Sequence, residues 1–322
     1  MKKTLFKFGA LTLMLCLSFS SCKKKKIESQ IDLPVVQPEV FNSIADFFSS
    51  KEVSSEVFTL VAENGGQFTT NKGSTVTIPA NSFITMGGQL VTGAIIVKLK
   101  EIFSTNDIIY SGIFPRSNSN ILNSGGEFFI EARQNGSTLG ISDGVFIGVD
   151  IPAQAIDNQM ELFFAGPDED TDSINWILQP DDSLAESSFT FNSIDETYEL
   201  SLDSLGWGNI DAFDWSIVYI DCNFNLTGVT GLDASNTTAF AVFQGQNSVW
   251  PTGVSSWGSI SNNLIYETHL GSIPLNLVVI SVVNGQLYYG LLDVTPQAGI
   301  TYSIPMTTTT STNLDQVIEN LP

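Results

Sequence analysis

Positive charge is scarce in this chain and ends early. Of 322 residues 13 are Lys or Arg against 34 Asp or Glu, the formal net charge is -21, and none of the 13 lies beyond Arg133. A nucleic-acid partner is thereby excluded, because phosphate binding depends on clustered Lys and Arg that release counterions. The same scarcity argues against anionic ligands over the distal half. A soluble, self-repelling exterior is the expected reason for the acidity, ahead of a surface for cations or cationic partners. Histidine occurs once, at His269, with no second imidazole for zinc and no Ser or Cys nucleophile motif around it. Carboxylates are so abundant that no pair of them signals glycosidase chemistry. Cysteine occurs three times, at positions 16, 22 and 222. The apolar run near the start, Phe8 to Phe19, is too short to span a bilayer comfortably.

That run has a basic start, Lys2, Lys3 and Lys7, and ends in Ser20-Ser21-Cys22, followed by Lys23 to Lys26. A basic start, an apolar centre and small residues at the end describe a cleavable secretory leader. The stretch resembles bacterial lipoprotein signal peptides, with Phe19 standing where that family prefers Leu. The resemblance implies that residues 1–21 are removed and that Cys22 becomes the lipidated first residue. One acyl chain holds a protein only marginally and two or three hold it stably. Each following lysine adds about 1 kcal/mol beside an anionic leaflet. Loss of Lys2, Lys3 and Lys7 takes the net charge to -24. With Cys16 gone and Cys22 acylated, Cys222 has no partner for an intramolecular disulfide, and is expected to be a small buried hydrophobe.

The remaining length suits about two domains, and 43% hydrophobic residues with 22 Phe supply their cores. Residues 22–54 read as lipidated cysteine, tether and a short helix capped by Asn42 or Ser43, with Ile44, Phe47 and Phe48 on the face expected to pack on the first domain. From Val57 the period becomes two: Phe58, Leu60 and Ala62 alternate, Asn71-Lys72-Gly73 signals a hairpin, and Val76 and Ile78 alternate with threonines before Pro79. Ser104 is a plausible cap for a helical crossover to Tyr110. The order GGQFTTNKGSTVTIPANSF, VTGAIIVKLKEI and SGGEFFIEARQNG resembles the ZU5-type β-domain in the version found in lipoproteins of Bacteroidota. Gly65, Gly66, Gly73, Ile78, Pro79, Phe83, Leu99 and Glu101 match it, while Ala80-Asn81-Ser82 departs from the Pro-Gly-Ala of the eukaryotic form. The resemblance implies a ZU5-like β-domain over 55–157 and no catalytic residues. The glycines are expected to form turns with positive φ.

A connecting β-rich segment is expected over 158–205. Leu205-Gly206-Trp207 resembles a joint that, in the same lipoprotein group, introduces a C-terminal β-sandwich, here 206–322. Short strands with recurrent turn signals, Asn284-Gly285 the strongest, suit an immunoglobulin- or transthyretin-like sandwich. Ser311 or Asn313 would cap a short terminal helix.

Two places suggest ligands. Asp168, Asp170 and Asp172 alternate in an acidic run that could hold calcium, but Ser173 and Gln179 stand where an EF-hand has Gly and Glu, so a solvated charged turn is the expected reading. Trp250 and Trp257 bracket a loop-like stretch and would contact a sugar or protein if exposed; indoles plugging the end of the sandwich are the expected reading. The chain as a whole reads as an all-β, lipid-anchored cell-envelope protein without an enzyme active site. Its expected work is that of an interaction or scaffold module for an envelope protein or polysaccharide. A glycan-binding lipoprotein of a nutrient-uptake system is the alternative. Anchoring in the outer membrane is expected, and the tetralysine favours the periplasmic side over the cell surface, since exported lipoproteins of this group carry acidic residues after the cysteine.

Overall fold

The computed structural model describes residues 39–321 apart from 155, 168–173, 180–186, 215–216 and 254–257. The fold is all-β, with three short helices among the described residues. The first half contains β1 (Glu56–Val61), β2 (Gly66–Thr69), β3 (Thr75–Ile78), β4 (Phe83–Thr85), β5 (Ala94–Ile102), β6 (Arg116–Ser117), β7 (Asn120–Gln134), β8 (Ser137–Ile141), β9 (Ile147–Pro152), β10 (Glu161–Pro167), β11 (Ile174–Leu178), β12 (Ser188–Asn192), β13 (Thr197–Leu202) and β14 (Gly206–Phe213). One sheet runs β1-β5-β7-β14-β10-β11, with β4, β6 and β8 attached, and a second runs β12-β13-β9-β3-β2. They face each other across a core. Ile95, Val97 and Leu99 of β5, Phe128 and Ile130 of β7 and Ile210 of β14 meet Val76, Ile78, Val149, Ile151 and Leu200. Each strand delivers alternate residues to that core, as its period of two requires.

The turn before β2 and the clamp on the β2–β3 hairpin explain several residues of the ZU5-like pattern. Gly65 has φ +65°, and a Cβ there would lie 2.3 Å from the Ile78 carbonyl oxygen. Gly66, expected to turn, instead begins β2 without a positive φ. Glu101 is buried and accepts from Thr70 Oγ1 at 3.0 Å, while Lys72 donates to the Glu101 carbonyl at 2.9 Å and to Asp107 at 2.7 Å.

Two expectations need correction. Leu205-Gly206-Trp207 does not open the second sandwich: β14 lies hydrogen-bonded between β7 and β10. Its Ile210 and Ala212 carry the alternation that fits the first core, and Gly208 leaves room for the Phe128 ring, whose Cζ would lie 2.3 Å from an added Cβ. Segment 158–205, expected to connect, supplies β10, β11, β12 and β13, two strands to each sheet. β9 is therefore an interior strand, between β13 and β3.

The second half contains β15 (Tyr219–Thr227), β16 (Thr237–Phe243), β17 (Val249–Thr252), β18 (Gly258–Ser261), β19 (Leu264–Gly271), β20 (Leu275–Val283), β21 (Gln286–Val294), β22 (Thr301–Pro305) and β23 (Thr307–Thr308). A sheet β18-β19-β15-β22 packs on a sheet β17-β16-β20-β21-β23 around Phe224, Phe243, Leu277, Ile304 and their neighbours. Asn284-Gly285 makes the β20–β21 hairpin turn, both residues at positive φ.

β20 is buried on both faces. Its inward residues join the sandwich core, and its outward Val278, Ile280 and Val282 join a third cluster. The three helices cover that outer face: α1 (Ile44–Ser50) with Phe47, α2 (Thr105–Ser111) with Ile108, Ile109 and Tyr110, and α3 (Ser311–Glu319) with Leu314 and Ile318. α1 was expected on the first domain. It packs on the second because an apolar outer sheet face must be covered, and its Phe47 stands edge-on to Phe41 at 5.2 Å and Tyr110 at 6.0 Å. Ser43 caps α1 and Ser104 caps α2 in a capping box with Asp107, both among the residues expected; Thr310 caps α3. Ser311 instead donates its amide and hydroxyl to the Glu39 carboxylate, each at 2.7 Å. Asp315 accepts from Lys51 at 2.6 Å and from the Tyr110 hydroxyl at 2.7 Å.

Phe47→Ala should cost about 3–5 kcal/mol, read as a lower urea midpoint of the whole transition. A loss under about 1 kcal/mol would mean that α1 is an accessory to the fold.

Candidate functional site

The structure disperses the residues singled out from sequence. Cys22, the acidic run Asp168, Asp170 and Asp172, and Trp257 lie outside the described residues. Trp250 is 1% exposed and packs into the core of the second sandwich, so it is not an accessible ligand contact. For Trp250 this agrees with the expected reading, an indole buried in the sandwich, and removes the alternative of an exposed ligand contact there. Cys222 is buried; burial, then the nearby carboxylates of Glu267 and Asp221, push its thiol up to about 12, which leaves it unreactive. His269 is stacked on Tyr219 at 3.8 Å and has Nε2 3.1 Å from the Ser119 carbonyl. Among the described residues no group of three His, Cys, Asp or Glu is placed to hold a metal ion.

The two halves instead build a groove where they meet. One wall is the segment from Phe103 into α2, with Asn106, together with Asn123 of β7 and Gln154 beyond β9. The facing wall is the β16–β17 turn, Gly245-Gln246-Asn247, and the end of α3. This part encloses about 650 Å³, within the usual range for ligand sites. It continues past Asn123 and Gln246 into a hollow of about 350 Å³ with Asp157, Phe213 and Asp214, and from Phe213 into one of about 400 Å³ with Asn158, Gln159 and Glu161.

Asn247 fixes the floor. Its amide donates to Asn123 Oδ1 at 3.0 Å, and its carboxamide donates to the carbonyls of Phe103 at 3.2 Å and Ser124 at 3.1 Å. The Ser124 amide returns a bond to the Asn247 carbonyl at 3.1 Å. Gln246 Nε2 donates to Asp214 at 2.5 Å. Carboxamides thus dominate the lining, and no Lys or Arg contributes to it.

Beneath this floor the first sheet hides two carboxyls, Glu127 of β7 and Asp211 of β14, each fully buried. Burial, then the neighbouring Asp211, push the Glu127 carboxyl well above its ordinary value, and the Trp176 indole lowers it less. Burial also raises Asp211, partly offset by donors on Ser124, Asn209 and the Gly125 backbone. Both Glu127 oxygens lack a hydrogen bond. Burial thus disfavours the charged form of both carboxyls, and Asp211 has the donors that offset part of it. Neither lines the groove, so neither faces a ligand bound there.

Sequence reading missed the groove. It is assembled from segments near 105, 123, 155, 213, 246 and 320, and no local pattern of Asn and Gln distinguishes a lining amide from a turn amide. Comparison of the chain with protein-family models, with curated proteins and with solved structures finds no match.

A carboxyl whose folded pKa is raised contributes stability in full below its unfolded value, about 4, and loses it as pH rises toward the folded value. Glu127→Gln should therefore raise stability at about pH 8 by about 1–2 kcal/mol and have little effect at about pH 4. Urea midpoints at both pH values measure this; equal effects of the substitution at the two would show that Glu127 does not titrate in that window.

Proposed function

We propose that this chain is a lipid-anchored, non-catalytic interaction module of the cell envelope. In this reading Cys22 holds it to the outer membrane, on the periplasmic side, and the junction groove engages the partner. The groove carries the proposal. It is concave, shared by both halves and held rigid by the four hydrogen bonds of Asn247, and rigid scaffolds position binding surfaces well. No nucleophile and base stand together along its lining, which consists of carboxamides, carboxylates and apolar side chains with two alcohols, Ser104 and Thr105. The finer fold assignment belongs to the same proposal: a ZU5-like first half, extended by β10 to β14, and an immunoglobulin- or transthyretin-like second half. The glycan-uptake alternative loses the support of Trp250, which is buried, and gains that of the groove.

Anchoring is tested by Cys22→Ala, which should move the protein from the membrane pellet to the soluble fraction and abolish incorporation of labelled palmitate; retention in the pellet would refute lipid anchoring. Binding is tested with a photo-crosslinker installed at Ile156, 59% exposed on the groove, or at Val57, 60% exposed on β1. Envelope material should be captured from the first position and not from the second. Equal capture from both would remove the groove from the reading.

A further inference from the structure

Taking the groove as the binding site, we infer that its occupant is a neutral polyhydroxylated chain, a glycan segment without acidic substituents. The inference rests on the binding reading above and adds the ligand class.

The lining decides between chemistries. An anionic ligand, whether phosphorylated, sulfated or built of uronic acids, would meet Asp157, Glu161, Asp214 and Glu319 with no Lys or Arg to balance them. Like charges at close range repel by amounts that a concave, partly desolvated site magnifies. All six described Lys and Arg residues lie between Lys51 and Arg133. Five of them are engaged with carboxylates elsewhere: Lys51 with Asp315, Lys72 with Asp107, Lys98 and Arg133 with Glu131, and Lys100 with Glu52. An apolar ligand would leave carboxamide and carboxylate groups desolvated and unsatisfied.

A neutral hydroxylated ligand fits both constraints. Each carboxamide offers donors and acceptors in a fixed fork, and a carboxylate accepts from two hydroxyls. The carboxamide nitrogens of Asn106 and Gln246 are committed to the Asp315 carbonyl and to Asp214, and their oxygens are buried. The orientation of each of these amides is therefore set. The carboxamides a ligand hydroxyl can reach are those of Gln154, Asn158 and Gln159, all at exposed positions of the lining. Phe213, shared by two of the three hollows, offers the apolar surface on which the C–H face of a sugar ring can rest. The three hollows follow one another through shared residues, which suits a linear chain better than a compact metabolite.

The competing occupant is a cationic segment of a protein, drawn by the same carboxylates, and the experiment separates the two. The full-length protein in detergent is titrated calorimetrically with three probes: neutral oligosaccharides of hexoses and N-acetylhexosamines, an oligouronate, and a Lys- and Arg-rich peptide. At least one neutral series should bind with an affinity that changes less than about twofold between low and high salt, since no ion pair is screened. Gln246→Ala should weaken it about tenfold. Gln154→Ala and Gln159→Ala, both at exposed positions, should weaken it several-fold with no change in melting temperature, which guards against a folding defect in the first variant. Binding of the peptide alone, lost on the same substitutions and at high salt, would overturn the glycan inference and leave the groove as a binding site. Binding of the oligouronate would overturn it as well. If none of the probes binds, and crosslinking at Ile156 still captures a protein, the glycan inference fails alone; if that capture fails too, the binding reading fails with it.

Discussion

One sheet face sets the terms for the whole molecule. The outer side of the β17-β16-β20-β21-β23 sheet is apolar, and exposing it would leave a large apolar patch in water. Helices drawn from three distant parts of the chain close it: α1 before the first strand, α2 inside the first half and α3 at the C-terminus. Because α2 is a crossover of the first sandwich, covering the second sandwich also joins the halves, and residues 38–322 form one contact unit. The pairing of the halves is therefore a condition of burying the core.

The junction has two characters. Around α1, α2 and α3 it is aromatic and apolar, with Phe47, Phe48, Tyr110 and Phe240 in edge-on contact. Toward β7 and the β16–β17 turn it becomes polar, organised by Asn247. The apolar part supplies stability without orientation, since hydrophobic burial is non-directional. The amide part supplies orientation and keeps the groove open. Buried carboxyls at Glu127 and Asp211 beneath it show that the sheet carries groups a purely packed core would exclude.

The elements were legible in the sequence where a local signal existed. Strand alternation at Phe58 and Val76, the Asn284-Gly285 turn and the caps Ser43 and Ser104 depend on near neighbours alone. Strand partners were not legible. β14 joined the first sheet because Ile210 and Ala212 match a core whose other members reach back to Ala62, which no local rule encodes. One signal was present and misjudged: Leu275 to Val283 is apolar at nearly every position rather than alternating, the mark of a strand covered on both sides. It foretold that something must lie over that sheet, and α1, with its aromatic face, was available. The groove had no such signal, because Asn and Gln acquire a binding character only from being brought together.

The bonds of Glu39 to Ser311 and of the Phe41 amide to the Gly285 carbonyl, at 3.2 Å, fix where the chain enters the fold. Entry is at the second sandwich, although the first follows next in sequence. In a tethered protein, tension applied from residue 39 would reach the cap of α3 and the β20–β21 turn before any strand of the nine-stranded sheet. The cap of α3 is thus the mechanical foundation of a segment 272 residues earlier. A growing chain cannot acquire that footing until α3 has left the ribosome.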